Sequence, residues 1–320
     1  MPPEWRPSAC LDVLRLRAQL LRRAREYFEA AGVLEVDTPM LSSAGTTDPH
    51  LRSFTTTGTG GIRYLHTSPE FPMKRLLAAG SGSIYQICRV FRDGESGRLH
   101  NPEFTLIEWY RVGYDHWALI RDVETLLRTL LGTRCPTAVA ECLSYGEAFQ
   151  RYAGIDPHVA TTTELARCAQ NHGIGYHDDG AGIDTWRDLL MTHVVEPCLG
   201  HTALTFVYAY PASQAALARI DPGPPPLARR FEVYLEGLEL GNGFHELADA
   251  AEWQRRVKRD LAERYARALP EIPVDNRLCA ALDHGLPDCA GIAIGFDRVL
   301  MLAAGRSHLG EVLAFPETLA

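Results

Sequence analysis

SIYQICRVFR (Ser83 to Arg92), DGESGRLHNPE (Asp93 to Glu103) and FTLIEWYRV (Phe104 to Val112) read in succession as strand, polar loop and strand. Both outer runs are rich in aromatic and β-branched residues, which suit a pleated, half-buried surface. They predict a long-looped antiparallel hairpin. Side chains alternate along a strand, so Phe104, Leu106, Glu108 and Tyr110 share one face while Thr105, Ile107 and Trp109 share the other. Glu108 is then a carboxylate on an apolar, aromatic face. Burying it unpaired is costly, so either this face looks into a pocket that takes a cation or the hairpin is exposed with a solvated tip. Arg92 closes the first strand, and the loop adds Glu95, Arg98, His100 and Asn101, a set able to grip phosphate and base together.

Toward the N-terminus, Thr67-Ser68-Pro69-Glu70 predicts a helix start. Ser68 is the N-cap, Pro69 the first helical position and Glu70 the acid of the first turn, with the helix running to Ala79-Gly80. VLEVDTPML (Val33 to Leu41) partly alternates apolar and polar residues up to Pro39, which suits an edge or interface strand because proline cannot donate to a ladder. Before it, Leu11, Leu14, Ala18 and Leu21, with Phe28 two turns further on, predict an amphipathic helix over 11–31 that stops at Gly32.

Toward the C-terminus, Leu119 to Leu131 is helical by period, and 135–200 is a mixed, mainly helical stretch. DPGPPPLARR (Asp221 to Arg230) is predicted to be a surface loop. RFEVYLEGLELGNGF (Arg230 to Phe244) predicts a second hairpin, turning at Glu236-Gly237. Glu232, Glu239 and Glu246 lie at steps of seven. On a helix they would form a stripe, but Gly237, Gly241 and Gly243 argue against a continuous helix. Across a hairpin ladder Glu232 and Glu239 can converge. Such a pair repels unless a cation such as Mg²⁺ lies between; solvated surface acids are the alternative. Asn242, between glycines, is placed for close backbone approach to a ligand. A charged helix over 249–268 follows, then the glycine-rich strand GIAIGF and the helix DRVLMLAAG, with Arg298 at its opening. A guanidinium and a helix N-terminus both suit phosphate. Strand pairs alternating with separate helices predict an α+β domain, a mainly antiparallel sheet flanked by helices.

Composition narrows the function. Hydrophobic residues at 46% and charged residues at 22% of 320 exclude a disordered or fibrous chain. A net charge of −8 argues against a protein whose main task is to wrap nucleic acid. Eight scattered cysteines without a C-x-x-C pair suggest reduced thiols and a cytoplasmic location. No apolar run is long enough to span a membrane. Walker A, G-x-G-x-x-G, H-E-x-x-H and G-x-S-x-G sequences are all missing.

In this order the segments resemble the catalytic domain of class II aminoacyl-tRNA synthetases, in the lysyl branch. GVLEVDTPML looks like motif 1 (about 32–41), FRDGESGRLHNPEFTLIEWY like motif 2 (about 84–112) and GIAIGFDRVLML like motif 3 (about 291–304). HNPEFT, GLELGNGFHEL and TSPEFPMKRLL are lysyl-type features. With the first helix starting at about Leu11, no anticodon-binding OB domain is expected. TSPE, HNPEFT, PASQAALA and NGFHEL together resemble the truncated EpmA/PoxA family, the elongation factor P β-lysine ligases. The expectation is one catalytic domain over 1–320 with a helical insertion at about 135–200.

The resemblance implies ATP-dependent activation of (R)-β-lysine as its adenylate and ligation to a lysine of elongation factor P. ATP and Mg²⁺ would be the cofactors, the protein a homodimer, and stable tRNA binding is not expected. Activation of α-lysine for tRNA or a free acceptor, and a non-catalytic regulatory paralogue, are the alternatives. Carried over by residue, Arg92 would bind the α-phosphate and Arg298 the γ-phosphate, as the catalytic pair. Asp93, Gly94, His100 and Asn101 would line the nucleotide, Phe104 stack on adenine, and Leu240 and Gly295 pack beside it. Glu232 and Glu239 would hold Mg²⁺. Ser68, Pro69 and Glu70 would form one end of the amino-acid pocket, with Glu108, Tyr110, Asn242 and Glu246 receiving ammonium groups. Ala293 stands where lysyl-tRNA synthetases have glycine, and its methyl group on the pocket floor favours a β-amino acid.

Overall fold

The structure, a computed structural model, describes residues 5–175 and 182–320. Residues 176–181, part of the expected helical insertion, lie outside the described residues. The chain opens with helix α1 (Leu11–Ala30), the short strands β1 (Leu34–Glu35) and β2 (Leu41–Ser42), and a hairpin of β3 (Thr55–Gly58) and β4 (Gly61–Leu65). Helix α2 (Glu70–Ala78) leads into strands β5 (Ile84–Phe91) and β6 (Glu103–Val112), helix α3 (His116–Leu131) and strand β7 (Glu141–Ser144). Helices α4 (Tyr145–Tyr152), α5 (Thr162–Asn171) and α6 (Ile183–Leu190) precede strands β8 (Thr205–Pro211), β9 (Ile220–Asp221), β10 (Leu227–Leu235) and β11 (Leu238–His245). Helices α7 (Ala250–Ala266) and α8 (Asn276–His284), strand β12 (Cys289–Gly295) and helix α9 (Phe296–Ala303) complete the fold.

Among the described residues one sheet runs β1-β5-β6-β12-β11-β10-β8-β7, with β9 beside β10. Its inner pairings are antiparallel, and only the flanking pairs β1–β5 and β7–β8 are parallel. This is the mainly antiparallel α+β architecture read from the sequence. The expected strand over 33–41 divides in two. Pro39 has no N–H to continue a ladder, so β1 stays on the main sheet while β2 joins β3 and β4 in a second sheet. The expected loop over 221–230 is shorter, because Leu227 and Ala228 already pair with Pro211 and Tyr210 across β8. At the turn of the β10–β11 hairpin, Glu236 and Gly237 have φ of +53° and +69°, the left-handed pair that a tight two-residue hairpin needs.

One face of the sheet is closed by α1, α3 and α9 over Ile107, Trp109, Phe231, Val233, Ile292 and Ile294. Helix α1 presents Val13, Leu20, Ala24 and Phe28 to this core. The expected stripe is therefore rotated: Leu14 and Leu21 lie on its flank, and Leu11 and Ala18 are exposed. Phe28 decides the rotation, stacking on Tyr85 at 4.2 Å and meeting Trp109 edge-on at 5.3 Å. Polar contacts fix the same layer. Arg17 pairs with buried Asp297 and donates to Thr105 Oγ1 at 2.6 Å, while Asp297 accepts the Thr105 N–H at 2.7 Å.

The other face is covered only at its ends. Helices α4–α6 pack on β8 and β10 around Trp186, Phe149 and Tyr210. Ser144 with Glu147, and Thr161 with Glu164, form capping boxes that start α4 and α5. At the opposite end α2, α7 and α8 enclose Met73, Leu77, Trp253 and Leu278. The floor between these two groups is left open. All eight cysteines are free thiols, and no helix among the described residues is long and apolar enough to cross a membrane. Because Phe28 ties α1 to two strands, Phe28→Ala is expected to cost about 3–5 kcal/mol in urea unfolding, with the slope of the transition unchanged.

Candidate active site

The open floor is a cavity of about 1400 Å³ lined by Ser68, Glu70, Arg92, Glu108, Tyr110, Asn242, Glu246 and Ala293. Strand register brings these residues together. Ala293 sits opposite both Glu108 and Asn242, and Gly291 lies opposite Tyr110 and Phe244. Gly291 must lack a side chain, since a Cβ there would come within 2.3 Å of the Tyr110 ring and 2.8 Å of a Glu246 oxygen. The glycines around Asn242 serve the opposite face. A Cβ on Gly243 would strike the Phe231 ring at 2.5 Å, and one on Gly241 would meet Ile294 at 2.8 Å. They admit core side chains rather than the approach of a ligand expected from the sequence.

The acidic end is buried. Glu108 is 2% exposed and has hydroxyl partners only: Tyr110 donates to Oε1 and Ser68 to Oε2, both at 2.7 Å. Burial, reinforced by Glu70, pushes the Glu108 carboxyl up to about 7, against the pull of those hydroxyls and of Lys74. Ser68 also accepts the Glu70 N–H at 3.0 Å, so the residue that starts α2 holds Glu108 as well. Pro69 occupies the N-cap position itself, one residue later than expected. Glu246 is 1% exposed, and its Oε2 lies 2.6 Å from Lys74 Nζ.

The cationic end lies around the motif 2 loop. Arg92 sits over Phe104, its Cζ 5.1 Å from the ring centroid, with Glu95 at 3.7 Å. Arg298, in the first turn of α9, donates to the Glu239 carbonyl at 2.7 Å and to His100 Nε2 at 2.9 Å. Burial and then Arg298 hold the His100 imidazole below its ordinary value, which suits a neutral ring accepting from the guanidinium. Gly295 caps α9 beside the Arg298 side chain. Gly94 has φ +86°, and Asp93 pairs with Arg52 at 3.1 Å. Two of the expected nucleotide contacts have side chains that are held within the protein. Asn101 donates to the Glu103 carbonyl and accepts the Glu317 N–H, lining a separate small cavity near the C-terminus. The Leu240 side chain is buried in the core.

Glu232 does not have the free carboxylate that its expected metal role requires. Arg230 lies 2.5 Å from Oε1, Tyr210 donates to Oε2 at 2.6 Å, and Tyr234 and Asn242 complete its shell. Glu232 still lies close enough to act on Glu239, and a second carboxylate, Glu196, accepts the Glu239 N–H on its Oε1 at 3.4 Å. Burial and then Glu239 push the Glu196 carboxyl up to about 7, and burial and then Glu232 raise Glu239. No group of three or more His, Cys, Asp or Glu side chains among the described residues is arranged to hold a metal. Mg²⁺ commonly takes one or two carboxylates and completes its shell with water and phosphate. Glu239 with Glu196 fits that donor set, and Glu232 does not.

Three features escaped the sequence reading. Lys74 is one helical turn beyond Glu70, a spacing that marks an ion pair. Arg230 stands where the expected loop and the expected hairpin meet, and its pairing with Glu232, two residues on, was not read from that position. Glu196 lies in an irregular turn and has no local signal.

The chain matches the family described as tRNA synthetases class II (D, K and N) over residues 4–319. It is 48% identical over 320 residues, 98% of each chain, to a Vibrio cholerae protein named elongation factor P–(R)-beta-lysine ligase. A Klebsiella pneumoniae protein of the same name is 49% identical over 318 residues, 97% of each chain. One from Edwardsiella ictaluri is 48% identical over the same length.

Glu108 also affects stability. Its folded-state pKa is raised, so the folded protein binds the proton more tightly than the unfolded chain and loses stability as pH rises from about 4.5 through about 7. Glu108→Gln is expected to stabilise the ligand-free protein by about 1–3 kcal/mol at about pH 8 and by much less at about pH 5, read by thermal unfolding.

Proposed function

The chain belongs to the class II tRNA synthetase family (D, K and N), and from that premise we propose that it activates (R)-β-lysine with ATP and ligates it to a lysine side chain of elongation factor P. The names of the relatives support the reaction. The observation that carries the proposal is the polarity of the site, with Arg92 and Arg298 around the motif 2 loop and the buried carboxylates Glu108 and Glu246, with half-buried Glu70, in the pocket. A diamino acid fits it in one orientation, ammonium groups among the carboxylates and carboxylate toward the arginines.

The substrate carboxylate is already an anion, so its attack on the α-phosphorus of ATP needs no general base. Catalysis is then positioning and charge stabilisation. Arg92 serves the α-phosphate and Arg298 the γ-phosphate. The Phe104 ring supports Arg92 and offers a surface for adenine, and His100 holds the Arg298 guanidinium. Glu239, with Glu196 beside it, would hold Mg²⁺, which supplies positive charge at the phosphates when bound. The acceptor amine then attacks the adenylate carbonyl and releases AMP. Free thiols support a cytoplasmic enzyme, and the acid excess supports weak tRNA binding. Exposed Leu34, Met40 and Leu41 support a homodimer through the motif 1 segment.

ATP/pyrophosphate exchange with (R)-β-lysine and α-lysine side by side tests the reading, followed by the intact mass of elongation factor P. Faster exchange with (R)-β-lysine and a gain of one lysyl mass are expected; no exchange with either amino acid would sink the proposal. Ala293 faces the cavity directly opposite Glu108. Ala293→Gly is expected to shift the ratio of kcat/KM values toward α-lysine by about tenfold, the scale of one methyl group in a pocket.

A further inference from the structure

We propose that Lys74 is a positioning residue that holds Glu70 and Glu246 in place, offsets part of their charge and so matches the amino-acid pocket to a substrate with two ammonium groups. The proposal rests on the diamino-acid reading above. Lys74 is 2% exposed, and its Nζ lies 2.6 Å from Glu70 Oε1 and 2.6 Å from Glu246 Oε2. The first contact follows from helix geometry. Ser68 accepts the Glu70 N–H at the start of α2, and a residue one turn later projects along the same face. The second contact joins that helix to the chain just beyond β11, on the far side of the pocket.

Charge then decides what the pocket takes. The groups that face Lys74 are Glu70 on its own helix, Glu108 and Tyr110 on β6, Glu246 beyond β11 and Cys289 on β12. Three carboxyl groups, Glu70, Glu108 and Glu246, stand against one ammonium, so ionising all three leaves two negative charges. Buried charge without a counter-ion is costly, so such a pocket favours a ligand that brings two positive charges. Lys74 spans two carboxylates and leaves the third to hydroxyl groups. Burial works against the Lys74 charge, but Glu246 and then Glu70 outweigh it and hold the amine above its ordinary value. The lysine therefore keeps its proton, while burial, with Glu70 and Glu108, still pushes the Glu246 carboxyl up to about 8 against the downward pull of Lys74. Without Lys74 the Glu246 carboxyl would rise further, and the substrate would have to displace its proton.

Lys74→Met and Lys74→Gln keep most of the length of the side chain and remove its charge. Exchange by the unaltered protein with (R)-β-lysine comes first, and its failure would count against the proposed function alone. For the variants, the KM for (R)-β-lysine at about pH 7 is expected to rise about tenfold or more, with the KM for ATP nearly unchanged. The ratio of variant to unaltered KM should shrink several-fold by about pH 9, where the higher pH itself favours the ionised form of Glu246. A ratio independent of pH, or an unchanged KM, would overturn the proposal, because a packing role moves the KM equally at every pH. Thermal unfolding gives a readout that needs no substrate. The loss in Tm should be largest near pH 8 and small near pH 5.5, where protonated carboxylates need no counter-ion. Variants that fail to fold even near pH 5.5 would also overturn it.

Discussion

Three carboxylates and one ammonium share a buried pocket, and much of the local structure follows from keeping them there. Glu108 and Glu246 are almost inaccessible to water, so each needs donors fixed by the fold. Tyr110 supplies one hydroxyl, and its ring occupies the space that Gly291 leaves. Ser68 supplies another while it also caps the first free N–H of α2. Lys74 closes the set from the next turn of that helix. Strand register, a helix start and one missing Cβ are thus parts of a single solution to buried negative charge. The carboxylates are kept close to one another at a cost in stability, and a cationic ligand offsets that cost when it binds.

The two faces of the sheet divide the work. One is packed by α1, α3 and α9 against aromatic and branched side chains, which gives the strands a rigid backing. Gly241 and Gly243 belong to this side, where they make room for Ile294 and the Phe231 ring. Asn242 between them points the other way and joins the chain of polar contacts through Arg230 and Glu232. That chain explains why Glu232 is neutralised within the protein while Glu239 remains beside Glu196. Spacing alone made Glu232 and Glu239 look equivalent; their partners differ, Arg230 with Tyr210 and Tyr234 at Glu232, Arg298 at Glu239.

What could be read in advance depended on whether the signal was local. The β5–β6 hairpin and the face assignment of Glu108 follow from alternation, a property of the strand itself. The Glu236-Gly237 turn follows from its length between two apolar runs. The face of α1 was misjudged because its leucines satisfy the helical period on two neighbouring stripes, and only Tyr85 and Trp109 choose between them. The partner of the Asn101 side chain could not be read for a similar reason, since Glu317 lies more than two hundred residues away.

The sequence by itself determined the α+β class, the antiparallel centre of the sheet, the order of the three motifs and the residue types that face the site. These rest on periodicity, turn chemistry and residue identity, which act over a few positions. The tertiary structure alone decided which charges meet. It paired Lys74 with Glu246, withdrew Glu232 to Arg230 and brought Glu196 to Glu239. Those contacts join segments far apart in the chain, and their electrostatic consequences depend on burial and on distances of a few ångströms, which no local pattern encodes.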